Sequence, residues 1–211
     1  MTIGKPTAKL AVPNSIALPK GALIERIHNR NYAANAFNPC RGGPKRFAPI
    51  EDSNGACIPS LYAGETLEAA IYETVFHDIP AKAKRKTVPK FHITSRAHGQ
   101  LEVLRDLKLA SLRALDLKKW LLRKNELIAT SPKLYSQTAK WAAAIHHQFT
   151  DIEGLIWTSN QCDPDAAYLF FGDRVNEIDF RVVLTRDGQI DITFLEDIRR
   201  AGMRGDISIT V

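Results

Sequence analysis

A chain of 211 residues, 45% apolar and 25% charged, is long enough for one folded core and has the balance of an ordinary globular protein. No stretch approaches the roughly 20 apolar residues of a membrane-spanning helix, which excludes a helical membrane protein, and the N-terminus lacks the continuous apolar segment of a secretory signal. The net charge of +6 favours an anionic partner, whether nucleotide, nucleic acid or acidic protein, without choosing among them.

Residues 1–20, interrupted by Pro6, Pro13 and Pro19, read as an extended arm that is disordered or docks on the body or a partner. The remaining residues, 21–211, read as one domain. Leu23, Ile24 and Ile27 predict a short strand that carries Arg26. Residues 29–57 are dense in Pro, Gly and Asn and read as a long loop, of the kind that is functional or mobile. Ile58, Leu61, Tyr62 and Ala63 form a buried strand, with Pro59 near its start. Gly64 and Glu65 turn the chain, and Thr66 can cap a helix. That helix has Leu67, Ala70, Ile71, Thr74 and Val75 on one face and Ala69, Tyr72, Glu73 and Phe76 on the other. A helix apolar on both faces is buried on both. Glu73 is then poorly solvated, with no lysine or arginine at helical spacing. It reaches solvent, pairs with an arginine distant in sequence, or marks a site of chemistry.

Lys82, Lys84, Arg85, Lys86 and Lys90 read first as a solvated basic loop. Phe91 and Ile93, then Leu101, Val103 and Leu104, predict two strands flanking His98 and Gly99. Residues 111–149 read mostly as helix: Leu112, Leu115, Leu117, Trp120, Leu121 and Leu122 form one apolar group. After Pro132, Leu134, Thr138, Trp141, Ala142 and Ile145 fall at helical spacing, with Trp141 a core residue. In the last third GLIWTS, AAYLFFG and FRVVLT predict central strands, residues 191–201 a short helix and DISITV a final strand. Strands on both sides of a helical middle, without regular alternation, predict an α+β fold, a mixed β-sheet with packed helices.

Several familiar chemistries have no motif here. There is no GxSxG, HExxH, GxGxxG or GxxxxGK, and the adjacent His146 and His147 point to different helix faces, so no metal site is expected. Cys40, Cys57 and Cys162 are odd in number and widely spaced. They fit a reducing compartment, hence a cytoplasmic protein, and form no redox motif. What remains is a set of polar residues at positions expected to be core: Arg26, Arg46, Tyr62, Glu73 and Ser159.

These residues lie within segments that resemble the RES-domain family. IERIHNR, FNPCRGGPKRFAP, SLYAGETLEAAIYE, YSQTAKWA and GLIWTSNQ occur in family order, over residues 21 to about 175, with LYAGETLEAAIYE the most specific. The resemblance implies an ADP-ribosyltransferase-like fold and a toxin of a bacterial toxin–antitoxin system, paired with an Xre-like antitoxin. It implies an enzyme that consumes NAD as phosphorylase or glycohydrolase, or that transfers ADP-ribose to a macromolecule. Carried over by position, the functional set is Arg26, Arg46, Tyr62, Glu73 and Ser159, with no further cofactor.

The residue types suit that chemistry in their own right. Arginine's planar fork fits paired phosphate oxygens, which makes Arg26 and Arg46 candidates for the pyrophosphate. Tyr62 offers a flat face for nicotinamide and a hydroxyl to orient it. Breaking the nicotinamide–ribose bond leaves positive charge on the ribose, which a fixed carboxylate such as Glu73 can stabilise. Ser159 can hydrogen-bond either Glu73 or the nicotinamide amide. Each residue also has a structural reading: ion pairs for the arginines, core for Tyr62, a strand-end cap for Ser159. From another class, residues 82–90 would serve a basic nucleic-acid-binding module, although no stacking platform accompanies them. The same basic segment would steer an acidic antitoxin toward an entrance between Arg46 and Glu73.

Overall fold

The computed structural model describes residues 3–80 and 82–210. In chain order the strands of the main sheet are β1 (Ser15–Leu18), β2 (Leu23–Asn29), β5 (Ser60–Gly64), β7 (Arg96–Val103), β8 (Leu107–Ser111), β9 (Gly154–Thr158), β10 (Ala166–Phe171) and β11 (Phe180–Asp187). Two short pairs lie apart: β3 (Ile50–Glu51) with β4 (Cys57–Ile58), and β6 (Lys86–Pro89) with β12 (Ile207–Thr210). The helices are α1 (Leu67–Thr74), α2 (Lys90–Thr94), α3 (Lys124–Leu127), α4 (Tyr135–Gln148) and α5 (Ile192–Arg204). The sheet runs β1-β8-β9-β10-β5-β2-β7-β11, parallel at β8–β9 and antiparallel elsewhere. It is the mixed sheet of an α+β fold.

Strand alternation divides the interior. On one face Tyr62, Leu155, Trp157, Ala167, Leu169 and Phe171 meet Trp141, Ala142 and Ile145 of α4, while Ile27 meets Ala70 and Ile71 of α1 and Phe194 and Ile198 of α5. On the other face Ile24, Leu61, Ala63, Leu101, Ile156, Tyr168 and Phe170 close against Ala34, Val175 and Phe180. Glu25 pairs with Gly64 across β2 and β5, so Tyr62 shares its face with Glu25 and Ile27, and Arg26 shares the opposite one with Leu61.

The arm docks on the body. Ile3 and Leu10 are buried in the α4 cluster, and their N–H groups donate to Gln137 Oε1 (3.1 Å) and Gln148 Oε1 (2.8 Å). Trp141 Nε1 donates to the Gly4 carbonyl at 2.8 Å, and the arm ends in β1, an edge strand paired with β8.

Several elements differ from the sequence reading. Phe91 and Ile93 lie in the short helix α2, not in a strand, and only Ile93 is buried. His98 and Gly99 do not separate two strands but sit inside β7. Gly99 serves close packing, since a Cβ there would run into the side chain of Ala34. Residues 107–111 form a strand unseen in the sequence. FRVVLT is not central: β11 is an edge, bulged between Val182 and Leu184, with Val182, Val183 and Leu184 exposed. Part of the basic stretch, Lys86–Pro89, is strand β6 rather than loop. The cysteines also differ from expectation. Cys40 and Cys57 form a disulfide with Cα atoms 6.3 Å apart, because β4 and the turn before Arg41 approach each other; Cys162 is free. No helix among the described residues is long and apolar enough to cross a membrane.

Candidate active site

Four of the five singled-out residues converge where α1, the loop before β3, α4 and the end of β9 meet. Thr66 caps α1 by accepting from Ala69 N–H at 3.1 Å, and its hydroxyl donates to Asp165 Oδ2 at 2.5 Å. This ties the start of α1 to the loop that follows β9. Gly64 lies directly beneath the helix start: a Cβ there would meet Ala70 N at 2.7 Å. Two turns on, α1 presents Glu73.

Three donors hold the Glu73 carboxylate. Arg46 Nη1 reaches Oε2 at 3.2 Å, and Ser159 Oγ and Asn160 N–H reach Oε1 at 2.7 and 2.8 Å. The two side chains of the ion pair are only 10% and 16% exposed, so the charge is compensated in a largely desolvated place. Of the alternatives open from the sequence, Glu73 does pair with an arginine distant in sequence, and that arginine is Arg46. Ser159, fully buried, also accepts from Cys162 N–H at 3.1 Å and Gln161 N–H at 3.4 Å, which folds residues 159–162 around it.

Tyr62 supports the arginine loop. Its hydroxyl accepts from Phe47 N–H at 3.2 Å, and burial pushes its pKa upward, keeping the phenol protonated. Its ring stands 6.3 Å from that of Trp157, and Phe47 packs edge-on to Trp157 at 5.1 Å. Tyr62 retains partial exposure.

Arg26 is not brought into this cluster. It projects from the other face of the sheet, where its Nη1 donates to the carbonyls of Ala34 (2.6 Å) and Ala36 (2.7 Å). Burial lowers its pKa to about 10. The period of two along β2 decides this, since a register that buries Ile27 against α1 turns Arg26 away.

Three participants were not singled out from the sequence. Asn160 acts through its backbone, which no residue-type argument detects. Tyr135, at the start of α4, places its ring 5.7 Å from Arg46 Cζ. Thr138 donates from Oγ1 to the Arg46 carbonyl. Its signal was a hydroxyl on an apolar helix face. Among the described residues no cluster of His, Cys, Asp and Glu could hold a metal ion.

A family model described as the RES domain matches residues 23–192. The chain belongs to the RES-domain family. In this RES protein the matched span holds Arg26, Arg46, Tyr62, Glu73, Tyr135, Thr138 and Ser159. Among solved structures, it is similar to a chain of the M. tuberculosis MbcT–MbcA toxin–antitoxin complex, with a TM-score of 0.61 and 13% identity, covering 87% of this chain and 92% of that one. The shared architecture is the mixed sheet with packed helices. A search of curated proteins gives no match.

Proposed function

We propose that this RES protein is an enzyme that cleaves the nicotinamide–ribose bond of NAD, with phosphate or water as acceptor. The observation that carries the reading is the Glu73 carboxylate, held by Arg46 and Ser159, both in the set the family resemblance implies, and by the Asn160 N–H. When the bond breaks, its electron pair passes to the nicotinamide nitrogen, which becomes neutral, and positive charge develops on the ribose. A carboxylate whose direction is already fixed stabilises that charge without reorganising. The neutral leaving group needs no strong general acid, in keeping with a cluster that contains no histidine. The acceptor oxygen then bonds the ribose carbon and loses its proton. Arg46 supplies planar donors for the pyrophosphate, and the partly exposed Tyr62 ring offers a face to nicotinamide. Arg26 is left a bracing role for residues 34–36.

The same reading makes the chain a toxin whose activity depletes NAD, restrained by a separate antitoxin of Xre-like type. It is supported by the family and by the neighbour's occurrence in a toxin–antitoxin complex. Incubation of the purified chain with labelled NAD, with and without phosphate, tests it. Free nicotinamide with ADP-ribose or its phosphate is expected. Glu73→Gln should reduce turnover by about a hundredfold or more while the fold is kept. Label attached to a macromolecule would establish ADP-ribosyl transfer instead, and unaltered turnover in a folded Glu73→Gln protein would remove Glu73 from the chemistry.

A further inference from the structure

Arg46 lies in a segment with no regular secondary structure, yet its guanidinium has to keep one direction to serve both Glu73 and an anionic ligand. Glu73 fixes one end of it. The rest of its support comes from the first turns of α4.

Thr138 is fully buried, and its hydroxyl donates to the Arg46 carbonyl. The alternative acceptor is the Tyr135 carbonyl at 3.1 Å, the local bond a helical threonine ordinarily makes. A hydroxyl has one proton, and here it bridges α4 to a segment 92 residues away in sequence. The next residue of that segment is pinned as well, through Phe47 N–H to Tyr62. Tyr135 is 7% exposed and sets its ring 5.7 Å from Arg46 Cζ, within the range in which a ring face attracts a cation. Arg46 Nε, meanwhile, is buried without a hydrogen-bond partner. An orphaned donor on a charged group is costly, and an acceptor arriving with a ligand would relieve it.

We infer that Tyr135 and Thr138 are positioning residues that aim Arg46 at the phosphate groups of the dinucleotide, an inference that rests on the NAD reading above. Thr138 fixes the backbone from which the side chain departs, and Tyr135 restricts the plane of the guanidinium. Neither need touch the reacting atoms, so their removal should weaken binding far more than it slows the chemical step.

The test measures ADP-ribose affinity by calorimetry and NAD turnover by nicotinamide release, with the full chain. Thr138→Val and Tyr135→Leu are each expected to weaken ADP-ribose binding and raise KM about tenfold, with kcat changed by less than about threefold. Thr138→Ser restores the hydroxyl and Tyr135→Phe the ring face, and both should return affinity to near the parent value. In an Arg46→Lys background the Tyr135→Leu penalty should largely vanish, because the two changes remove one interaction. A lowered Tm with unchanged affinity, or a penalty that persists undiminished in Arg46→Lys, overturns the inference. If Thr138→Val fails to fold, the Tyr135 series and its cycle with Arg46 decide alone. A parent chain that neither binds ADP-ribose nor releases nicotinamide overturns the NAD reading and this inference with it. A parent that does both, with variants that bind equally well, overturns the inference alone.

Discussion

The single hydroxyl proton of Ser159 goes to Glu73, and both lone pairs receive backbone N–H groups from residues 161 and 162. Nothing is left over for a nicotinamide amide. Of the two tasks its sequence position allowed, Ser159 performs the one directed at the carboxylate. Glu73 in turn accepts two bonds on Oε1 and one on Oε2, which leaves Oε2 the less occupied oxygen and, in the proposed reaction, the one that would take a ribose hydroxyl. On the opposite face, His28 gives a pH prediction. Its Nδ1 bonds the Asn29 carbonyl at 3.0 Å while Nε2 is buried without a partner. Burial, with Arg26 close by, lowers its pKa from 6.5 to about 4. Between those values the unfolded chain binds a proton that the folded chain does not, so this group makes stability fall as pH drops from about 6.5 towards about 4. Urea midpoints should decline over that window by more in the parent than in His28→Gln; equal slopes would remove His28 as a cause.

At the scale of elements, what was legible was local. Helix α1 could be read because Thr66, the apolar pattern and the turn before it lie within a dozen residues of one another. The strands β5, β9 and β10 announced themselves as apolar runs. The rest depended on partners far away in sequence. Gly99 looked like punctuation because glycine is common in turns, whereas its task is to admit Ala34 against β7. Arg26 looked equivalent to Arg46 by residue type, and only strand register separates them. β11 read as interior from three consecutive apolar residues, and is instead an edge whose bulge and exposed Arg181 oppose pairing with another chain. Gly99→Ala should accordingly cost about 1–3 kcal/mol, the usual penalty for overpacking, read as a lowered denaturation midpoint. Gly43→Ala, where nothing approaches within 4 Å, is the control and should change little. Equal midpoints for the two variants would show that β7 can yield at this point.

Across the whole molecule, the candidate site is assembled from contributions that no single segment contains. Arg46 comes from the long loop that the Cys40–Cys57 disulfide closes, Glu73 from α1, Ser159 from the end of β9, and Tyr135 and Thr138 from α4. Helix α4 is itself covered by the arm, whose Ile3 and Leu10 complete its apolar cluster and whose β1 shields the edge of β8. The RES match begins at residue 23, after the arm. Evolutionary kinship and the unit that folds therefore have different outlines here. A protein trimmed to begin at Gly21 would retain every matched residue, yet bare the Trp141 side of α4 and the backbone groups of β8. It should bind an apolar dye and associate at concentrations at which the intact chain stays monodisperse, as fluorescence and light scattering would record. Where homology is used to choose the ends of a polypeptide for study, the first twenty residues of this one belong inside the boundary.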